Sequence, residues 1–313
     1  MPLVPPSEAE ILGQSKHKTV RFSHIVAIIA SLATWAYALL SFTQPVANYK
    51  WPTQFVRSAQ ANLQVIVQGS GPTVDIIPSY GRDGSDDFDY FSSALAAAGF
   101  LVLRPQPRGT FESTGPMTNV TLEDLAADII SVIDTLGGGE AIVIGHAFGT
   151  FLTKFIAMPY PEKVSSIVVA APGGINLPTS VENMPFIAGN ASLPLAETLD
   201  ALKTAFFAPN HDAHLWLDGW YTDVLVMEHG AVEAYGSLTS QWGGGNDTQV
   251  LEIIPADDPF QPKSEWNVTT SLYPDRATSV VIHDASHALF PEQGCAVVDA
   301  VLPWLKLQSA KLR

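Results

Sequence analysis

The sequence predicts an α/β fold: a doubly wound, mostly parallel sheet with a helical cap, preceded by one N-terminal transmembrane helix. Three observations carry this reading. From residue 61 onward, strand-like and helix-like segments alternate, the pattern that builds a sheet covered by helices on both faces. Two short runs, Ala141–Ile144 and Val164–Ala171, are almost wholly apolar, as expected of strands buried on both sides. And Ile25–Phe42 is an uncharged apolar stretch of 18 residues, which as a helix rises about 27 Å, close to the thickness of a bilayer's hydrocarbon.

Residues 1–22 are polar and contain prolines, and read as a cytosolic tail. The anchor spans 23–42. Lys16, Lys18 and Arg21 precede it, whereas the first positive residue after it is Lys50. That asymmetry places the N-terminus in the cytosol and the body on the lumenal or extracellular side. A cleaved signal peptide has a shorter apolar core and leader, and a buried core helix is the third reading of the same stretch. Four of nine asparagines, Asn119, Asn190, Asn246 and Asn267, stand in N-glycosylation sequons, against about one expected by chance. The first has a second explanation, because Thr121 followed by Asp124 is a helix-capping pattern.

Residues 43–60 read as a linker, and 61–313 as the folded domain. Leu63–Val67 and Val74–Pro78 are strands around a Gly-Ser-Gly-Pro turn. Phe88–Ala98 is a helix stopped by Gly99, Phe100–Arg104 a strand, and Leu122–Leu136 an amphipathic helix ended by three glycines. After the strand Ala141–Ile144 comes a sharp turn at Gly145–Gly149 and a helix, Thr150–Met158. From about 175 to 245 the rhythm breaks into a segment rich in Trp, Phe, Met and Leu, expected to form a cap over the carboxyl ends of the strands. Strands resume at Val250–Ile254 and Ser279–Ile282, and Ala296–Leu307 is the closing helix.

The formal net charge is −15 and only 15% of residues are charged. No basic cluster suits a phosphate backbone, so nucleic acid is not an expected partner. Cys295 is the sole cysteine, which precludes an internal disulfide or a cysteine-built zinc cluster. His211, Asp212 and His214 lack a fourth ligand nearby and read as a helix terminus rather than a metal site. No metal or cofactor is expected.

The chemistry concentrates at Gly145-His146-Ala147-Phe148-Gly149. Glycines flanking a strand-to-helix bend are needed where side chains would clash, and the central residue is pushed above the sheet. From about 62 to 310 the chain resembles the α/β-hydrolase superfamily, in particular a subgroup with a GHA-type elbow and a stretch like Phe206–Tyr221. The resemblance implies that Ala147 stands at the vacant nucleophile position. It puts Asp258, in Asp257-Asp258-Pro259-Phe260, at the acid position and His287, in Asp284-Ala285-Ser286-His287, at the histidine position. Arg108-Gly109 resembles the family's arginine-glycine turn. The oxyanion loop, which ordinarily opens with His-Gly, reads Pro78-Ser79-Tyr80-Gly81-Arg82 here. The implied oxyanion donors are the backbone amides of Tyr80 and Phe148.

A methyl group at 147 closes the acyl-enzyme route. An epoxide hydrolase of this fold carries aspartate at the elbow, which alanine also excludes. His287 with Asp258 remains a general base. The sequence therefore supports a membrane-anchored, hydrolase-like protein acting without a serine nucleophile on a lipophilic small molecule. The reaction classes that fit are cyclisation, isomerisation or water-mediated hydrolysis. Anchored relatives in fungal natural-product pathways suggest secondary metabolism and protein partners in a biosynthetic complex. The alternative is a catalytically inactive pseudohydrolase serving as a binding or scaffold protein. His146 reads as a packed residue, Ser79 as a turn-capping serine, and Asp257 as a solvated neighbour of Asp258.

Overall fold

The computed structural model describes residues 51–174, 177–235 and 247–311. The expected tail and anchor lie outside them. Among the described residues, no helix is long and apolar enough to cross a membrane.

Eight strands form one sheet: β1 (Thr53–Arg57), β2 (Asn62–Gly69), β3 (Thr73–Ile77), β4 (Leu101–Pro105), β5 (Ala141–His146), β6 (Val164–Ala170), β7 (Gln249–Pro255) and β8 (Ala277–Ile282). Their order is β1-β2-β4-β3-β5-β6-β7-β8. β1 and β2 pair antiparallel, as do β2 and β4. The remaining pairings are parallel. β3 and β5, the central strands, are buried at every position, which is why they are mostly apolar apart from Thr73, Asp75 and His146.

β1 departs from the expectation, which had placed residues 43–60 in a linker. Only Val56 of this strand is fully buried. An edge strand with one inward residue has almost no hydrophobic periodicity to detect, and its identity comes from pairing with β2.

α1 (Asp89–Ala97), α2 (Leu122–Leu136) and α3 (Phe148–Ala157) sit close to their expected positions; α4 (Met184–Ala188), α5 (Leu195–Ala205) and α6 (Thr222–Tyr235) lie in the expected cap region, α7 (Val268–Leu272) was not anticipated, and α8 (Leu289–Ser309) closes the chain. α2 opens with the expected capping box, Thr121 accepting from the Asp124 amide and Asp124 from the Thr121 amide. Its buried face, including Leu125, Ile129 and Ile133, shares one apolar core with α3 and the sheet. α1 and α8 cover the opposite face with Phe91, Leu95, Val297 and Val301. α8 begins seven residues earlier than the sequence suggested and is kinked at Gln293.

The described part of the cap, 177–235, has its own core of Leu202, Phe206, Phe207 and Trp216, closed by Phe260 and Ala288 from the sheet-borne loops. The cap is thus packed onto the loops that hold the candidate site.

Candidate active site

β5 ends at His146 and α3 begins at Phe148, so the chain reverses direction through Ala147 alone. Ala147 adopts φ 49° and ψ −108°, a conformation that L-residues rarely hold and that costs on the order of 1–3 kcal/mol. The glycines explain how the bend is made. A Cβ on Gly145 would lie 2.2 Å from the Gly149 carbonyl oxygen, and one on Gly149 would lie 2.3 Å from that of Ile77. The bend is held by Ala147 N–H donating to Ala170 O (3.0 Å) and by Thr150, whose amide and hydroxyl both donate to Ala147 O. The elbow's strained geometry is complete although the side chain at its apex is a methyl group.

Asp258 lies in the turn after β7 and His287 in the loop between β8 and α8, and the two meet as expected. His287 Nδ1 donates to Asp258 Oδ2 at 3.0 Å. Asp258 Oδ1 accepts from the Phe260 amide at 2.8 Å, which fixes the carboxyl plane. With Nδ1 carrying the proton, Nε2 presents its lone pair, and it has no partner among the described residues. The imidazole is buried and packs on Phe260 and Phe206, at ring-centroid distances of 4.3 and 5.7 Å. Asp257 is exposed, as expected.

His146 holds the backbone of this loop. Its Nε2–H donates to the His287 carbonyl at 2.8 Å. Burial, with the His287 charge second, pushes its pKa down to about 3, so it is a neutral hydrogen-bond donor. Glu292 braces the neighbouring peptide: its two oxygens accept from the amides of Ser286 (2.7 Å) and Ala208 (2.6 Å). Ala288 N–H donates to Phe206 O at 2.7 Å.

On the other side of the elbow lies the 78–82 loop. Tyr80 stacks on Phe148 with ring centroids 4.7 Å apart. Neither the Tyr80 nor the Phe148 amide finds an acceptor among the described residues, and Phe148 N–H belongs to the first turn of α3, where amides point outward unpaired. Both amides are therefore available as donors among the described residues. Ser79 differs from its expected role: the turn is closed by its carbonyl accepting from Arg82 N–H at 3.2 Å, with no side-chain cap.

The remaining sequence candidates play structural parts. Arg108 forms a buried bidentate pair with Asp128, at 2.6 and 3.0 Å. His211 faces Asp284 (3.3 Å), and His214 bonds Asp212, which caps a short 3-10 turn. No metal-holding cluster occurs among the described residues. Of the sequons, Asn119 and Asn267 are exposed and Asn190 is half-exposed, its Oδ1 accepting from Ser192; Asn246 lies outside the described residues.

Sequence reasoning missed Glu228 and Glu292. Glu228 is 2% exposed on α6 and accepts the Gly81 amide at 2.8 Å. Its signal was present: it shares a face with Val224, Leu225 and Ala231, at spacings of three and four, in an apolar stripe.

Comparison with known proteins agrees with this geometry. A family profile described as the alpha/beta hydrolase fold matches residues 72–215. The chain is 30% identical over 141 residues to bifunctional epoxide hydrolase 2 of Sus scrofa, covering 44% of this chain and 23% of that protein. It is 31% identical over 122 residues to 2-hydroxy-6-oxononadienedioate/2-hydroxy-6-oxononatrienedioate hydrolase of Burkholderia vietnamiensis, covering 39% of each. The matched stretch is thus well under two thirds of either relative's length. A hydrolase from Pseudomonas aeruginosa superposes with a TM-score of 0.66 at 21% identity, covering 81% of this chain and 98% of that one.

Proposed function

We propose that this chain, an α/β-hydrolase-fold relative of epoxide hydrolases and other hydrolases, catalyses proton transfer on a lipophilic carbonyl compound without a covalent intermediate. The observation that carries this reading is the intact His287–Asp258 pair, with Nε2 unpartnered, beside an elbow whose apex offers no nucleophile. His287 takes a proton from an acidic C–H or from water. The Tyr80 and Phe148 amides hold the oxygen on which negative charge develops, the kind of stabilisation that contributes most in a water-poor site. The methyl of Ala147 leaves room for a reacting carbon where a serine hydroxyl would stand. Cyclisation, isomerisation and direct hydrolysis by water all fit this arrangement. The lipophilic substrate class follows from the rings of Phe206 and Phe260 around His287 and from the anchor expected at 23–42, which would hold the body beside a membrane as a single-pass protein. Protein partners in a biosynthetic complex belong to the same proposal.

A second reading, a binding protein without turnover, is favoured by one observation: the His287 side chain is only 9% exposed. His287→Ala separates the two. Metabolites are compared in producing cells carrying the full chain or the variant, with protein level and membrane attachment monitored. Loss of one product with accumulation of its precursor supports catalysis. An unchanged metabolite profile supports the scaffold.

A further inference from the structure

We propose that Glu228, a buried residue of the cap helix, is a positioning residue that holds the oxyanion loop by accepting the Gly81 amide, so that the adjacent Tyr80 amide faces the reaction. This rests on the reading of Tyr80 and Phe148 as oxyanion donors.

The loop is fastened to the cap along its length. Gly81 N–H donates to Glu228 Oε2 at 2.8 Å, and Gly81 O accepts from Tyr221 N–H at 2.8 Å. One residue on, Arg82 donates to Asp218 O at 2.8 Å, with its guanidinium 4.5 Å from the centre of the Trp216 ring. Gly81 has φ +59°, and a Cβ there would lie 2.6 Å from Leu225 Cβ. α6 therefore rests directly on the glycine, which cannot be any other residue without moving the helix. Tyr80 is clamped between the two layers, its ring on Phe148 of the elbow at 4.7 Å and 6.2 Å from the ring of His229 of the cap.

Two consecutive amides, Tyr80 and Gly81, are candidates for the site, and only that of Tyr80 has no acceptor among the described residues. Glu228 engages the second. A carboxyl group is a costly acceptor for this purpose, because burying a charge without a counter-ion is unfavourable by several kcal/mol. No cation pairs with Glu228 among the described residues. Arg108 and Asp128 line the same small cavity, with Pro78 and Phe148, but are bonded to each other. Burial accordingly holds the Glu228 carboxyl well above the ordinary carboxylate range, opposed only by the Gly81 N–H. What the loop uses is a neutral carbonyl-type acceptor. A glutamine would serve equally, and an apolar side chain of the same size would not.

The test compares Glu228→Met with Glu228→Gln in the full chain. Amide hydrogen exchange is followed by mass spectrometry in the peptide spanning Tyr80 and Gly81. We expect the Met variant to exchange at least tenfold faster there than the parent, with Gln restoring the parent rate. Equal rates in parent and Met, or equal loosening in Met and Gln, overturn the proposal. If Met does not fold, Glu228→Asp, which withdraws the acceptor by one methylene, replaces it in the same comparison. A second arm uses Ala147→Ser as background with p-nitrophenyl butyrate as probe. There Glu228→Met should lower kcat by about 10²-fold, as for loss of an oxyanion donor, with KM nearly unchanged and Gln rescuing it. A fall confined to KM overturns the positioning role. If the Ala147→Ser background itself shows no ester hydrolysis, the reading of a preassembled oxyanion site fails, while the exchange comparison still decides the Glu228 contact.

Discussion

The two flanks of the elbow are built differently. On the His287 flank the side-chain hydrogen bonds to the dyad and its loop come from the sheet domain, through Asp258 after β7, His146 at the end of β5 and Glu292 in α8, five residues beyond the histidine, while the cap adds Phe206, whose ring packs on His287 and whose carbonyl accepts the Ala288 amide. On the Tyr80 flank the loop leaves β3, but what fixes it is the cap, through Glu228, Tyr221 and Asp218. Neither flank depends on the side chain at 147. This is how the elbow bend, the His287–Asp258 pair and the unpaired Tyr80 and Phe148 amides stand together around a methyl group. The difference implies that the hydrogen bonds holding His287 are set mainly by the sheet domain, whereas those holding Gly81 and Arg82 depend more on the cap.

The largest effect that sharpens this comparison is a gain. If both flanks are preassembled, Ala147→Ser should raise hydrolysis of a short p-nitrophenyl ester by about 10³-fold or more, given that loss of a nucleophile in one protease costs about 10⁶. A fluorophosphonate should then add to residue 147, seen as a mass shift on the peptide containing it. An adduct on the unmodified chain near the elbow would break the reading that no nucleophile is present. Next, His287→Ala should lower turnover of the native reaction by about 10²–10⁴-fold, the usual weight of a general base. Its melting temperature should stay close to that of the parent.

A smaller effect is expected at His146. His146→Leu removes the donor to His287 O and leaves a buried carbonyl unpaired, at about 1–3 kcal/mol, read by urea denaturation. Turnover should fall less than in His287→Ala, because the dyad is loosened rather than removed. His146 also gives the acid limb of stability a sign. Its folded pKa is about 3 against an ordinary 6.5, so between these values the unfolded chain binds the extra proton. Stability should be full above pH 6.5 and fall as pH drops toward 3, by up to about 1.4 kcal/mol per pH unit. His146→Leu should flatten that limb.

The smallest effect lies away from both flanks. Asp75, in the middle of β3, is fully buried with neither carboxyl oxygen partnered among the described residues, and burial raises its pKa well above the ordinary 3.8. It stays protonated in the folded chain while the unfolded chain ionises, so its contribution is present below pH 3.8 and declines as pH rises. Asp75→Asn should raise the melting temperature more at pH 8 than at pH 4. The same gain at both values would contradict a protonated Asp75.

Short windows of sequence carried a large part of this molecule. Gly145 and Gly149 announced a bend that only they can make, Thr121 and Asp124 announced the start of α2, and the apolar runs at 141 and 164 announced central strands. Asp258 and His287, 29 positions apart, were reached only through the resemblance to the α/β-hydrolase superfamily. The bend, the helix cap and the strands depend on local sterics and periodicity, so each of their residues reports on itself and its near neighbours. What only the tertiary structure decided are the contacts whose partner is chosen by strand order and by the docking of the cap. β1 becomes a strand by lying beside β2. His146 reaches the His287 carbonyl across 141 positions, and Glu228 reaches the Gly81 amide across 147. A polar side chain in an apolar stripe signals that a partner exists, but a hydrogen bond formed only on burial has no local pattern to say which group it meets.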